Sequence, residues 1–201
     1  MKKVSDIYAI KIIFFITACY VGLWVIRIPT IKDQLQTDYV GVGYIMLSFA
    51  IGSIFAMIFA NALILKTSTK SILTFTLIAE GCLWLPVPFI QELWIFMIFS
   101  FIFGMSYGAF EIACNLYASN LEVREKKSMM SGFHAFWSLG VLFGSLITSF
   151  LLEWNYSFTF NILLYVIILL PLSLYFVLCL ESQSEIKSEE LKGVKVTEEA
   201  E

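Results

Sequence analysis

Two polar side chains inside an otherwise apolar stretch are the residues of this sequence best suited to chemistry. Glu111 and Asn115 follow Gly104 and Gly108 within the run that begins at Leu93. The steps of four, three and four residues place all four on one face of a helix. Small residues allow helices to approach closely, and an ionisable group inside hydrocarbon is by default a functional-site hypothesis. The pattern predicts a polar helix face beside a water-filled path.

Glu111 is the candidate proton carrier of this face, and Asn115 is a candidate for the substrate path. A carboxyl is neutral in a dry site and ionised in a wet one, because desolvation disfavours the charged form. That response suits a proton-coupled step. The alternative is a structural carboxyl that bonds to a neighbouring helix.

A second stripe, near the end of the first apolar run, combines aromatic rings with a fixed charge. Thr17, Tyr20, Trp24 and Arg27 step by three, four and three residues. An aromatic wall with a guanidinium suits a polar or anionic ligand, so Tyr20, Trp24 and Arg27 are candidates for the substrate path. The alternative for Arg27 is snorkelling to the outer headgroups.

Glu80 and His134 are candidate structural or gating groups. Glu80 lies near the centre of the third apolar run, with Trp84 one turn on. It either pairs with another helix or carries a proton, and the residues favour neither. His134 lies at the start of the fifth run, where a lone histidine is more often a hydrogen-bonded structural group than a pH switch.

The composition indicates a membrane protein. The chain has 201 residues, of which 59% are hydrophobic and 14% charged, whereas soluble domains are roughly 45–50% apolar and about 25% charged. The net charge of −3 with dispersed basic residues gives no sign of nucleic-acid binding. Four cysteines lie in apolar runs without metal-ligand spacing, so we expect no metal and no cofactor. An enzyme finds no support, because the sequence shows no nucleophile–base pair and no nucleotide loop.

Six apolar runs have the length that spans a bilayer, which is ~20 residues. They are Ile7–Ile28, Val42–Leu65, Ile72–Ile90, Leu93–Ala118, Gly132–Leu152 and Phe158–Leu180. The first run is longer than the core of a signal peptide and contains Lys11, so we expect an uncleaved span. We predict an all-α membrane bundle of six helices over residues 1–180 and an acidic cytoplasmic tail or linker over 181–201.

The basic residues predict the orientation of the bundle, because Lys and Arg concentrate on the cytoplasmic side. The segments assigned to that side hold Lys2, Lys3, Lys66, Lys70, Arg124, Lys126, Lys127, Lys187, Lys192 and Lys195, whereas the outer loops hold Lys32. Both termini are therefore expected in the cytoplasm. Pro86 and Pro88 predict a bend or an end of the third span near the outer side.

Small residues at four-residue steps predict close packing between helices of the bundle. The stripes are Tyr44, Ser48, Gly52, Ala56 and Ala60 on the second helix, and Gly140, Gly144 and Thr148 on the fifth. Ser48, Gly52 and Ala56 also offer a surface for the docking of a second bundle.

Three segments resemble a known family. Gly108 to Asn115 (GAFEIACN) and Ser131 to Gly140 (SGFHAFWSLG) are similar to the fourth and fifth helices of major facilitator superfamily transporters. The nearest branch in this resemblance holds the fucose-permease-like sugar:proton symporters and uncharacterised inner-membrane permeases. The segment WVIRIPTIKDQL, which begins at Trp24, resembles the end of the first helix in those permeases.

The resemblance implies two inverted three-helix repeats, which form half of a major facilitator fold. It also implies a second six-helix half as partner, either another copy or a separate chain. In this family the first and fourth helices line the substrate cavity. In the fucose-type symporters a carboxylate that matches Glu111 carries the proton, and the match implies the same role for Glu111. The third and sixth helices are peripheral, which argues against a role for Glu80.

Departures from the family pattern limit the expected function. The loop after the second helix lacks the family's acidic position, and Ser100 and Gly144-Ser145 stand where drug:proton antiporters have an arginine and a Gly-Pro step. These differences argue against drug efflux. We expect a half-size or truncated secondary transporter of the bacterial inner membrane that couples protons to a small polar solute such as a sugar. The alternative is a non-transporting truncated membrane protein or an interaction scaffold, because the family has twelve spans and this sequence has six.

Overall fold

The computed structural model describes residues 5–181, with the side chains of all but residues 60–65. Within this range the chain is helical and contains no strand. The helices are α1 (Asp6–Gln34), α2 (Tyr39–Lys66), α3 (Thr69–Trp84), α4 (Leu93–Glu125), α5 (Met130–Glu153) and α6 (Phe158–Cys179), with a 3-10 turn at Val87–Phe89. Six segments are long and apolar enough to cross a membrane. The predicted all-α fold is therefore confirmed. Of the acidic tail predicted over 181–201, residues 182–201 with Lys187, Lys192 and Lys195 lie outside the described residues, as do Lys2 and Lys3.

Local signals set several helix ends. The side chain of Ser68 accepts a hydrogen bond from the backbone N–H of Ser71 and so caps the start of α3. That helix ends at Trp84, just before Pro86, as the prolines predict. The first helix instead continues past the expected end at Ile28, through Pro29, to Gln34. Its last turns are polar, so a prediction based on the length of the apolar run places the end of the helix too early.

The helices pack as two equivalent sets of three. The closest pairs are α1 with α5 and α2 with α4, while α3 packs on α4 and α6, and α6 packs on α1. The two sets correspond helix by helix, α1 to α4, α2 to α5 and α3 to α6. Swapping the members of each corresponding pair gives the same list of packed pairs. Short connections make successive helices alternate in direction, so α4 runs opposite to α1 and the second set is inverted. The predicted pair of inverted three-helix repeats is confirmed.

Glycines bring α2 and α4 into backbone contact. A Cβ atom at Gly104 would clash with the carbonyl oxygen of Phe49, and one at Gly108 would clash with that of Ser53. Such positions exclude any side chain, because the obstacle is backbone rather than a flexible group. The residue type at both positions is thus dictated by helix packing.

The small-residue stripe of α2 lies partly inside this crossing. Gly52 faces the backbone of Phe101 in α4, and Ala56 is buried. The interpretation of the stripe as a packing surface is confirmed for these two residues. The further expectation that Ser48, Gly52 and Ala56 form a docking surface for a second bundle is wrong for Gly52, which α4 covers, and for Ala56, which is buried inside the bundle.

The crossing of α1 and α5 is built in the same way. A Cβ atom at Gly140 would clash with the carbonyl oxygen of Phe15, and one at Gly144 would clash with that of Cys19. Thr148, one turn further, is fully buried. The stripe on the fifth helix is therefore a packing surface, as predicted.

An ion-pair cluster closes the end of the bundle at which α1 begins. Arg124, near the end of α4, pairs with Asp6 at 3.0 Å and with Glu181 at 3.1 Å. The side chain of Asp6 is only 3% exposed, and it also accepts the backbone N–H of Glu181. One guanidinium therefore joins the start of α1 and the segment after α6 to α4.

Candidate functional site

A partly enclosed cavity of about 250 Å³ lies among α1, α2, α3 and α4. Its lining is largely aromatic, with rings contributed by all four helices. Among the described lining residues, Glu80 is the only one with a carboxyl group, and none is Lys or Arg. The cavity therefore offers one acidic group within an aromatic wall.

Two of the residues predicted for the substrate path, Tyr20 and Trp24, line this cavity. Trp84 of α3 holds them in place: its ring is stacked on that of Tyr20 at 6.0 Å and meets that of Trp24 edge-on at 6.2 Å, between centroids. The hydroxyl of Tyr20 donates to the carbonyl oxygen of Tyr165 in α6 at 3.4 Å. These contacts fix the orientation of the α1 stripe relative to α3 and α6.

Glu80 is located in the wall of the same cavity and is only 6% exposed. Its carboxyl has no hydrogen bond or ion pair with any described residue. The resemblance placed the third helix at the periphery and gave Glu80 little weight. The structure instead brings Glu80 together with Tyr20 and Trp24, because the face of α3 that carries Glu80 and Trp84 points into the bundle.

Arg27 does not line the cavity. It is buried, its Nε donates to Oδ1 of Asn161 at 3.1 Å, and its Nη2 donates to the carbonyl oxygen of Tyr156 at 3.2 Å. The guanidinium also lies 5.5 Å from the ring centroid of Phe158. Snorkelling does not describe this position, since the group is inside the bundle and joins α1 to α6.

Glu111 and Asn115 are half-buried and lie outside the cavity lining. The side-chain amide of Asn115 donates to the backbone carbonyl of Glu111 at 2.9 Å. The side-chain carboxyl of Glu111 has no hydrogen bond to a described residue. The predicted common face of α4 is divided: Gly104 and Gly108 are covered by α2, whereas the polar end is partly open. Tyr107, one turn before Glu111, lines the cavity.

His134 is exposed at the start of α5 and is remote from the cavity lining. Its ring meets that of Phe14 edge-on, with centroids 5.8 Å apart. No side-chain hydrogen bond of His134 occurs among the described residues, so its contact with α1 is a ring contact. Its predicted structural or gating role stays a prediction.

Sequence reasoning missed two residues of α6 that organise the site. Asn161 is the partner of Arg27, and the hydroxyl of Tyr165 donates to the carbonyl oxygen of Gly144 at 2.6 Å and bonds to Thr148 at 3.0 Å. The available signal was the same one that drew attention to Asn115, namely a polar side chain within an apolar run. Within residues 5–181 no three His, Cys, Asp or Glu side chains come together as metal ligands.

The fold is that of an integral membrane protein built as half of a major facilitator bundle. The chain matches the Major Facilitator Superfamily over residues 11–199, and it belongs to that family. It is 26% identical over 145 residues to an uncharacterised MFS-type transporter of Yersinia pestis, a match that covers 71% of this chain and 37% of that protein. It is 24% identical over 141 residues to an uncharacterised transporter of Sinorhizobium fredii, covering 66% and 35% respectively.

The chain thus spans just over a third of the length of these curated relatives. No solved structure matches it. The resemblance to the superfamily is confirmed, whereas a position within the fucose-permease-like branch stays a prediction.

Proposed function

We propose that this chain forms one six-helix half of a secondary transporter that moves a small polar solute together with protons. The observation that carries the proposal is the pair of inverted repeats in a chain of this family. Transporters with this architecture work by rocking one repeat unit or bundle against another around a site between them. The partner is a second six-helix half, either another copy of this chain or a separate one.

Glu111 is the proton-carrying group in this proposal. Its carboxyl is half-buried in the middle of α4 and has no partner among the described residues, while Asn115 bonds to the backbone beside it. In hydrocarbon, an ionisable residue at a helix centre costs about 2.5–3.5 kcal/mol, so this face favours contact with a second bundle or with water. A carboxyl that alternates between wet and dry surroundings takes up and releases a proton.

The solute contacts in this proposal come from Tyr20 and Trp24 on α1 and from Asn115 on α4. Arg27, which the sequence also predicted for the path, is buried against α6 and contributes by orienting α1. Trp24 and Asn115 are half-buried and so have surface left for a ligand. The amide oxygen of Asn115 accepts no hydrogen bond from a described residue, which suits a hydroxyl donor. A small polar solute such as a sugar fits these groups. In this proposal the membrane is a bacterial inner membrane, and both termini of the chain lie in the cytoplasm.

The test uses membrane vesicles from cells that produce the chain together with any second half. A panel of radiolabelled sugars is offered with and without an imposed inward proton gradient, and vesicles without the chain are the control. We expect at least one sugar to accumulate, and only when the gradient is present. Equal accumulation with and without the gradient would reject proton coupling. Uptake of every sugar at the level of the control vesicles would reject the solute class.

A further inference from the structure

The cavity among α1, α2, α3 and α4 has a chemistry that differs from that of a sugar site. A sugar presents several hydroxyls, each of which needs a hydrogen-bonding partner when it leaves water. The described wall has few polar side chains, and the hydroxyl of Ser100 is already engaged in a hydrogen bond. Its Oγ donates to the carbonyl oxygen of Ile45 at 3.0 Å. Aromatic rings supply most of the surface instead.

Two buried polar groups of this wall have no partner among the described residues. The carboxyl of Glu80 is bonded to none of them, and the indole N–H of Trp84, one helical turn on, has no acceptor. Ionising a buried carboxyl without a countercharge is costly, and none of the described lining residues is Lys or Arg. A ligand that brings a positive charge would complete this arrangement.

We propose that the cavity binds an organic cation, an ammonium group that carries an apolar or aromatic substituent. Glu80 supplies the counterion, and the aromatic wall of the cavity, which includes Tyr20, Trp24 and Trp84, surrounds the cationic head. Cations are attracted to the faces of aromatic rings, most strongly to tryptophan, and quaternary ammonium ligands are recognised by such aromatic cages. An opposite charge nearby favours the ionised form of the Glu80 carboxyl, so the bound cation and the carboxylate stabilise each other.

The size of the cavity fits this class of ligand. An apolar cavity of about 150 Å³ admits a benzene ring, and this one measures about 250 Å³. The difference leaves room for a trimethylammonium group beside the ring. The site shares Tyr20 and Trp24 with the proposed solute path. All its described walls belong to a single bundle, so cation binding does not need a second half.

Phenyltrimethylammonium is the probe for the experiment, which measures binding by calorimetry to the purified chain in detergent, with protein-free micelles as the blank. We expect saturable binding that Glu80→Gln weakens by at least about tenfold, because the substitution keeps the shape and removes the charge. Glu92→Gln is the matched control, since Glu92 is exposed outside the cavity, and it is expected to bind as the wild type does.

A second measurement needs no variant. Choline and its neutral analogue 3,3-dimethylbutan-1-ol compete for the bound probe, and we expect choline to displace it at concentrations at least about tenfold lower. Equal competition by the two, equal affinity of Glu80→Gln and wild type, or no saturable binding would overturn the cation site. Because this assay involves neither a proton gradient nor transport, its failure would leave the proposed transport standing.

Discussion

The Nε atom of Arg27 donates to Oδ1 of Asn161 at 3.1 Å, and this hydrogen bond joins α1 to α6 in the interior of the bundle. The other described contacts of the guanidinium are the carbonyl oxygen of Tyr156 and the ring of Phe158. A buried cation is here surrounded by neutral dipoles and an aromatic face rather than by a carboxylate. Its position favours a role in orienting α1 against α6.

Replacing Asn161 is therefore expected to destabilise the bundle. Hydrogen bonds to charged groups contribute about 1.5–3 kcal/mol, and Asn161→Ala removes one from a cation that stays buried. Arg27→Gln in the same background should cost less than it does alone, since the two residues act together. Thermal unfolding of the four proteins in detergent measures this coupling, and strictly additive effects would show that the hydrogen bond does not matter.

The glycine crossing of α2 and α4 predicts a position-specific effect of a single methyl group. Gly104→Ala places a Cβ against the backbone carbonyl of Phe49, and overpacking of this kind costs about 1–3 kcal/mol. Gly43→Ala is the matched control, because nothing lies within 4 Å of a Cβ there. We expect a lower unfolding temperature for Gly104→Ala alone, and equal temperatures for the two variants would contradict the crossing.

The cluster at the start of α1 predicts that Arg124 stabilises the fold. Arg124→Gln leaves the buried carboxylate of Asp6 without its countercharge, at a cost of about 1–3 kcal/mol or more. Lys127→Gln removes a positive charge from an exposed position nearby and should change the stability little. Unfolding in detergent compares the two variants, and a loss of stability in Lys127→Gln as large as that in Arg124→Gln would point to net charge instead.

The basic residues predict that the end of the bundle with Arg124 faces the cytoplasm. Lys66, Lys70, Lys126 and Lys127 lie at the same end, whereas Lys32 lies at the other. A periplasmic alkaline phosphatase reporter fused after Asp38 should be active, and one fused after Lys127 should be inactive. The opposite pair of activities would reverse the assigned orientation.

Most of the fold was predictable because its signals are local. The lengths of the apolar runs and Pro86 after the third span each act within a few residues, and the spacing of the glycines in α4 and α5 marks a packing face without identifying its partner helix. The extensions of α1 to Gln34 and of α4 to Glu125 were not predictable in this way, since their last turns are polar. Hydropathy reports the apolar core of a membrane helix rather than its hydrogen-bonded length.

The site was only partly predictable because it depends on which helix faces meet. Tyr20 and Trp24 were recognised from their spacing, and both line the cavity. Spacing alone could not pair Arg27 with Asn161, which lies far along the chain on α6. Glu80 shows the same limit, since its place in the cavity depends on the rotation of α3 within the bundle.

The measurement that tests the transport proposal most directly is proton-driven uptake by Glu111→Gln. The glutamine keeps the size and hydrogen-bonding capacity of the side chain but cannot carry a proton. In vesicles with an imposed proton gradient and a sugar that the wild type accumulates, we expect Glu111→Gln to lose accumulation while it still exchanges labelled for unlabelled sugar. Glu92→Gln, which removes an exposed carboxyl at the start of the same helix, should accumulate the sugar normally. Full proton-driven accumulation by Glu111→Gln would contradict its role as proton carrier.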